Sequence, residues 1–121
     1  MKKMIALLLA AMMVLSMAAC ASKTAAAADS DLAYIQDKGT LVIGITDFEP
    51  MDYKDADGSW IGFDADMAKA FAESLGVTAE FVEIDWDNKI LELDSKTIDC
   101  VWNGMTLTAE VTSTMECSNA Y

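Results

Sequence analysis

The 121-residue sequence has no arginine and no histidine. Its cations are 8 lysines, set against 20 Asp and Glu, for a net charge of −12. A nucleic-acid binder neutralises phosphates with clustered Lys and Arg, so this balance excludes that class. Without histidine there is no imidazole for acid–base work and no His ligand for a metal. Proline occurs once, at Pro50, and cysteine three times, at Cys20, Cys100 and Cys117.

What is abundant is apolar, 54% of all residues, and it is concentrated at the start. Lys2 and Lys3 precede the unbroken apolar run Met4–Leu15, which small residues follow up to Cys20. A positive start, an apolar stretch too short to span a bilayer and a small-residue end form an export signal over residues 1–19. The remainder, 20–121, holds 6 lysines and the same 20 acids, a balance of −14. Met17-Ala18-Ala19-Cys20 resembles a bacterial lipobox, in which Cys20 is lipidated and becomes the new N-terminus, although Met17 stands where Leu is usual. Cleavage after Ala26-Ala27-Ala28 is the competing reading. Two or more acyl chains hold a protein stably at a membrane. Residues 20–30 then read as a flexible tether. Cys100 and Cys117 would lie outside the cytoplasm, where a disulfide is permitted, but spacing does not decide between a bridge and two small core thiols.

From residue 31 the pattern alternates. A short helix, Asp31–Lys38, is expected to stop at Gly39. Thr40–Thr46 is β-branched and apolar, as a strand buried on both faces would be. Met51–Lys54 and Ser59–Phe63 flank Asp55-Ala56-Asp57-Gly58, a hairpin turn. As a calcium loop that segment fails, because Tyr53 would occupy the first ligand position. Asp64 is expected to cap a helix over Ala65–Leu75 whose apolar stripe is Met67, Phe71 and Leu75 with Ala68 and Ala70 beside them. Val77–Ile84 reads as a strand, Asn88–Asp94 as a helix, Ile98–Asn103 as a strand, and Ala109–Met115 as a helix capped by Thr108. Strand and helix in alternation predict right-handed βαβ units on a mostly parallel sheet, an α/β fold.

Ligands of open α/β sheets bind outside the carboxyl ends of the strands. Phe48 and Trp86 stand at such ends with polar residues on both sides, as aromatic platforms would; Trp102, inside an apolar run, is expected in the core. Asn103-Gly104-Met105-Thr106-Leu107-Thr108 joins a strand to a helix. Gly104 allows backbone to approach a ligand, and Thr106 and Thr108 add hydroxyls. The acid groups Asp47/Glu49 and Glu83/Asp85/Asp87 have neither a nucleophile nor a second catalytic partner in view, so an enzyme is not expected.

These pieces, in this order, resemble the extracellular solute-binding protein family 3, the amino-acid receptors of bacterial ABC importers. The matching residues are Gly39–Gly44, Pro50 with Tyr53, Asp57-Gly58, Gly62-Phe63-Asp64-Ala65-Asp66-Met67-Ala68, Leu75-Gly76-Val77, Ile84–Asp87, Ile98-Asp99 and Asn103–Thr108. The resemblance implies a type II periplasmic-binding-protein-like fold, of which 31–121 would be the N-terminal part of lobe one, with the second lobe absent. It implies that Phe48 and Trp86 pack on a small-molecule ligand, an amino acid or related polar solute, and that Asn103, Gly104 and Thr106 hold its polar groups. Either Asp47 or Glu49 would meet its ammonium. It implies an ABC permease in the membrane as partner, no cofactor or metal, and a location outside the cytoplasmic membrane, anchored by lipid or periplasmic. A sensory domain, or a dehydratase or cell-wall lyase on the same fold, are the alternatives. One departure stands out. The family pattern has Arg three residues after the second Thr of the turn, where it clamps the ligand's carboxylate. Here that residue is Val111.

Overall fold

The computed structural model describes residues 30–121. The export signal, Cys20 and all but the last residue of the expected tether lie outside the described residues. The chain divides into two compact units, Met1–Tyr34 and Ile35–Tyr121. Of the first, only Ser30–Tyr34, the opening of helix α1 (Asp31–Lys38), is described. Gly39 ends that helix with φ of 79°, a conformation glycine adopts without strain.

The second unit is built on a three-stranded parallel sheet in the order β4 (Thr78–Glu83), β1 (Thr40–Ile45), β5 (Cys100–Val101). Strand β1 (Thr40–Ile45) is central. It pairs along its whole length with β4 (Thr78–Glu83), from Thr40 opposite Thr78 to Ile45 opposite Glu83. On its other side β5 is short, Cys100–Val101, opposite Ile43 and Gly44. Leu41, Ile43 and Ile45 alternate onto one face of β1 and are all buried, whereas Val42 on the other face is only half-buried, so the strand is sealed more tightly on one side than the expected burial on both faces. A Cβ at Gly44 would stand 2.6 Å from Ile98 Cδ1 and 3.1 Å from Ile84 Cδ1, so a side chain there would displace the residues that seal this end of the sheet. Strand β5 is held at its start by Asp99, whose amide donates to Val42 and whose carboxylate accepts from the Val42 amide and from Lys38.

Between β1 and β4 the chain makes the expected hairpin, β2 (Tyr53–Lys54) against β3 (Trp60–Ile61). Asp55 shapes its turn by accepting from the amides of Asp57 and Ser59. Helix α2 (Phe63–Ser74) follows. Its start departs from expectation: Gly62 is the N-cap, and Asp64 lies buried within the first turn. Gly62 has φ of 115°, and a Cβ there would come 2.3 Å from the Met51 carbonyl oxygen, so the hairpin and the helix meet where no side chain fits. The buried face is also different. Ala65, Ala68 and Ala72 press on Leu41, Ile43 and Ile45, whereas Met67 and Phe71 are on the outer side, and the Phe71 ring meets Trp102 at 5.7 Å. Small side chains let the helix approach the sheet closely, and the larger ones are left to cover its flank.

After β4, a 3₁₀ turn (Trp86–Asn88) opened by Asp85, which accepts from the Asp87 amide, leads into helix α3 (Lys89–Asp94). Helix α4 (Ala109–Thr114) is capped by the Thr108 hydroxyl, which accepts from the Val111 amide. Among the described residues, no helix is long and apolar enough to cross a membrane.

Candidate functional site

The carboxyl ends of β1, β4 and β5 lead directly into the three segments that the sequence marks out. β1 runs into Asp47–Asp52, β4 into Ile84–Asn88, and β5 into Trp102–Thr108. In the first, the Phe48 carbonyl accepts from the amides of both Met51 and Asp52, and the Phe48 amide donates to the Asp52 carbonyl at 2.6 Å. This closed turn fixes Phe48 with its side chain outward, 52% exposed. Its ring lies over Gly104: a Cβ there would be 3.0 Å from Phe48 Cε1. Gly104 is thus the residue that lets the turn after β5 pass beneath the ring.

Asn103 is placed beside Gly104 in a positioning role. Its side-chain amide donates to the Thr46 hydroxyl, and its carbonyl oxygen accepts from the Gly104 amide at 2.7 Å. One side chain therefore ties the end of β1 to the turn after β5. The amides of Met105 and Thr106 have no acceptor among the described residues.

Trp86, Gly104 and Thr106 line one concavity of about 270 Å³, with Thr108, Lys89 and Val111. Phe48 reaches this group through its contact with Gly104. Asp47 and Glu49 are exposed on the first loop and are not among the residues that line it. A wider hollow of about 660 Å³, between Trp60, Lys69 and Phe81, reaches the start of β4, the opposite end of the strand from these loops. It is shallow and open, and no candidate site residue borders it. The smaller concavity has the better claim, because apolar, aromatic and convergent polar groups meet there at the strand ends.

Four lining residues were given no site role from the sequence: Lys89, Ile90, Met105 and Glu110. Lys89 Nζ donates to the Trp86 carbonyl at 3.1 Å and lies 4.6 Å from the centre of the Trp86 ring, a cation–π distance. The i to i+3 spacing from Trp86 was the signal that could have found it.

A second polar cluster lies beneath the first loop. Asp52 and Asp64 are both fully buried. Asp64 Oδ1 accepts from the Tyr121 hydroxyl at 2.8 Å, and that hydroxyl accepts from Trp102 Nε1 at 3.0 Å. Neither oxygen of the Asp52 carboxyl has a hydrogen-bond partner among the described residues. Burial, reinforced by the charge of Asp64, pushes Asp52 up to about 7, with the Ala65 amide acting in the other direction. Cys100 and Cys117 are free thiols, and burial, with Asp99 beside it, pushes Cys100 up to about 12.

Residues 41–121 match the bacterial extracellular solute-binding proteins, family 3, and the chain belongs to that family. It is 34% identical to the arginine-binding extracellular protein ArtP of Bacillus subtilis (strain 168), over 100% of this chain and 45% of that protein. It is 33% identical, over 78% of this chain and 35% of the relative, to cyclohexadienyl dehydratase of Pseudomonas aeruginosa, so the similarity includes an enzyme as well as binding proteins. The arginine-bound form of domain 1 from TmArgBP superposes with a TM-score of 0.62 at 38% identity, over 66% of this chain and 64% of that one. The chain spans less than half the length of these two curated relatives. The parallel α/β unit is therefore part of the type II periplasmic amino-acid-binding fold.

Proposed function

We propose that the protein is the solute-binding component of an ABC importer, taking up an amino acid or a related small polar solute and delivering it to a membrane permease. The observation that carries this reading is the convergence of Trp86, Gly104 and Thr106 on one concavity, with Phe48 resting on Gly104. Trp86 offers an apolar face to the solute's carbon skeleton. Thr106 and the amides around Gly104 offer hydrogen bonds to its polar groups. Asn103 holds the turn in place. Asp47 and Glu49, exposed on the first loop, are left to meet a solute's ammonium from the rim. The arginine-bound domain 1 of a relative supports the view that this lobe holds a large share of the contacts.

We read the site as binding rather than catalytic. Glu110 is the single acid lining the concavity, and no nucleophile there is paired with a base. Cys20 would carry the lipid that keeps the protein at the outer face of the membrane. Replacing Cys20 by Ala should release it into the soluble fraction, whereas identical fractionation of variant and parent would reject the anchor.

The binding reading is tested by thermal denaturation of the full chain against the standard L-amino acids at millimolar concentration. A ligand of the native state must raise the melting temperature. At least one amino acid is expected to do so. No shift with any of them would reject the reading.

A further inference from the structure

We propose that Lys89 is the anchor for a carboxylate in the concavity, so that the site selects small solutes with a free carboxylate group. The proposal rests on the concavity being the solute site. Lys89 is the one cation among its lining residues. Among the described residues it is also without an acid: Lys38, Lys54 and Lys69 each have a carboxylate within 4.0 Å, whereas Lys89 and Lys96 have none, and of these two only Lys89 lines the concavity. In a chain with 20 acids and 8 lysines, a cation left without an acid beside a cleft is free to take one from a solute. An ammonium has three donors. One is given to the Trp86 carbonyl at 3.1 Å, which tethers the side chain and leaves two for a ligand.

Apart from the acid Glu110, the rest of the lining suits the same group. Thr106 and Thr108 carry hydroxyls, and the Met105 and Thr106 amides have no acceptor among the described residues. Val111 is buried and brings no charge. A carboxylate placed between Lys89 and the turn after β5 would meet one positive charge and several donors, while Trp86 keeps water from one side of the ion pair. Charge-assisted hydrogen bonds of this kind are about twice as strong as neutral ones.

The test is calorimetry on the full chain with the standard L-amino acids and the carboxamide of each one that binds. The parent should bind the acid at least about tenfold more tightly than its amide. Lys89→Gln should lose about that factor for the acid and leave the amide unchanged, and Lys89→Arg should keep the preference. Circular dichroism and melting temperature check that the variants fold. Should Lys89→Gln fail to fold, the parent's own ratio still decides, since equal affinity for acid and amide overturns the proposal. A preference retained in Lys89→Gln overturns it as well. Absence of binding by the parent to every amino acid would instead reject the solute-binding reading itself.

Discussion

Replacing Asp52 by Asn removes one titration from the interior, and its effect can be worked out from the fold. The carboxyl is 0% exposed, neither oxygen has a well-formed hydrogen bond among the described residues, the Ala65 amide offsets this only in part, and Asp64 lies close enough to oppose its ionisation. Its pKa rises from 3.8 to about 7. Each unit corresponds to about 1.36 kcal/mol, so ionising Asp52 within the fold costs up to about 4 kcal/mol. Because the folded value lies above the unfolded one, the native state holds its proton more tightly. The stability this confers is fully present below pH 3.8 and is lost as pH rises through about 7. Asn keeps the shape of the neutral acid and never ionises. Urea unfolding at a series of pH values should therefore give a parent curve that falls between about pH 4 and 8 and a variant curve that is flatter. At pH 8 Asp52→Asn should be more stable by about 2–4 kcal/mol, and at pH 4 the two should agree within about 1 kcal/mol. All other acids are common to both proteins, so the difference reports on position 52 together with its coupling to Asp64. Parallel curves, or a variant less stable at pH 8, would show that Asp52 is ionised and satisfied in the native state.

Gly62→Ala should destabilise the fold by more than about 3 kcal/mol, because the new Cβ would meet the Met51 carbonyl at 2.3 Å on a backbone with φ of 115°. A urea midpoint close to the parent's would show that the hairpin and α2 can separate. Trp86→Ala should weaken binding of whichever amino acid stabilises the parent by about tenfold or more, with little change in melting temperature, since Trp86 is only partly buried. Unchanged affinity would remove it from the site. Cys100, pushed up to about 12, should react with iodoacetamide at pH 8 at least about tenfold more slowly in the folded chain than in urea. Equal rates by mass spectrometry would show an accessible thiolate.

The parts of the fold that were legible in the sequence are those set by local chemistry. Thr40–Ile45, the hairpin around Asp55–Gly58 and the Thr108 cap each follow from neighbouring residues, and each stands where it was expected. The turn 103–108 was legible for the same reason. What was not legible depends on distance through space. Helix α2 carries two stripes at helical spacing, Ala65/Ala68/Ala72 and Phe63/Met67/Phe71, and hydrophobicity favours the second. Closeness of approach to β1 selects the first, a matter of volume that a periodicity does not contain. Asp64 looks like a cap in sequence, yet its partner is Tyr121, 57 residues away. The same limit applies to Lys89. Compared along the chain with position 111, it stands at the wrong place; in the fold, α3 and α4 bring both residues to one concavity. A charge at a binding site is fixed by where it lies relative to the solute, and two helices can deliver it to the same space. An absent arginine at Val111 therefore removes one route to a carboxylate, and Lys89, with no acid within 4.0 Å among the described residues, supplies another from the facing segment.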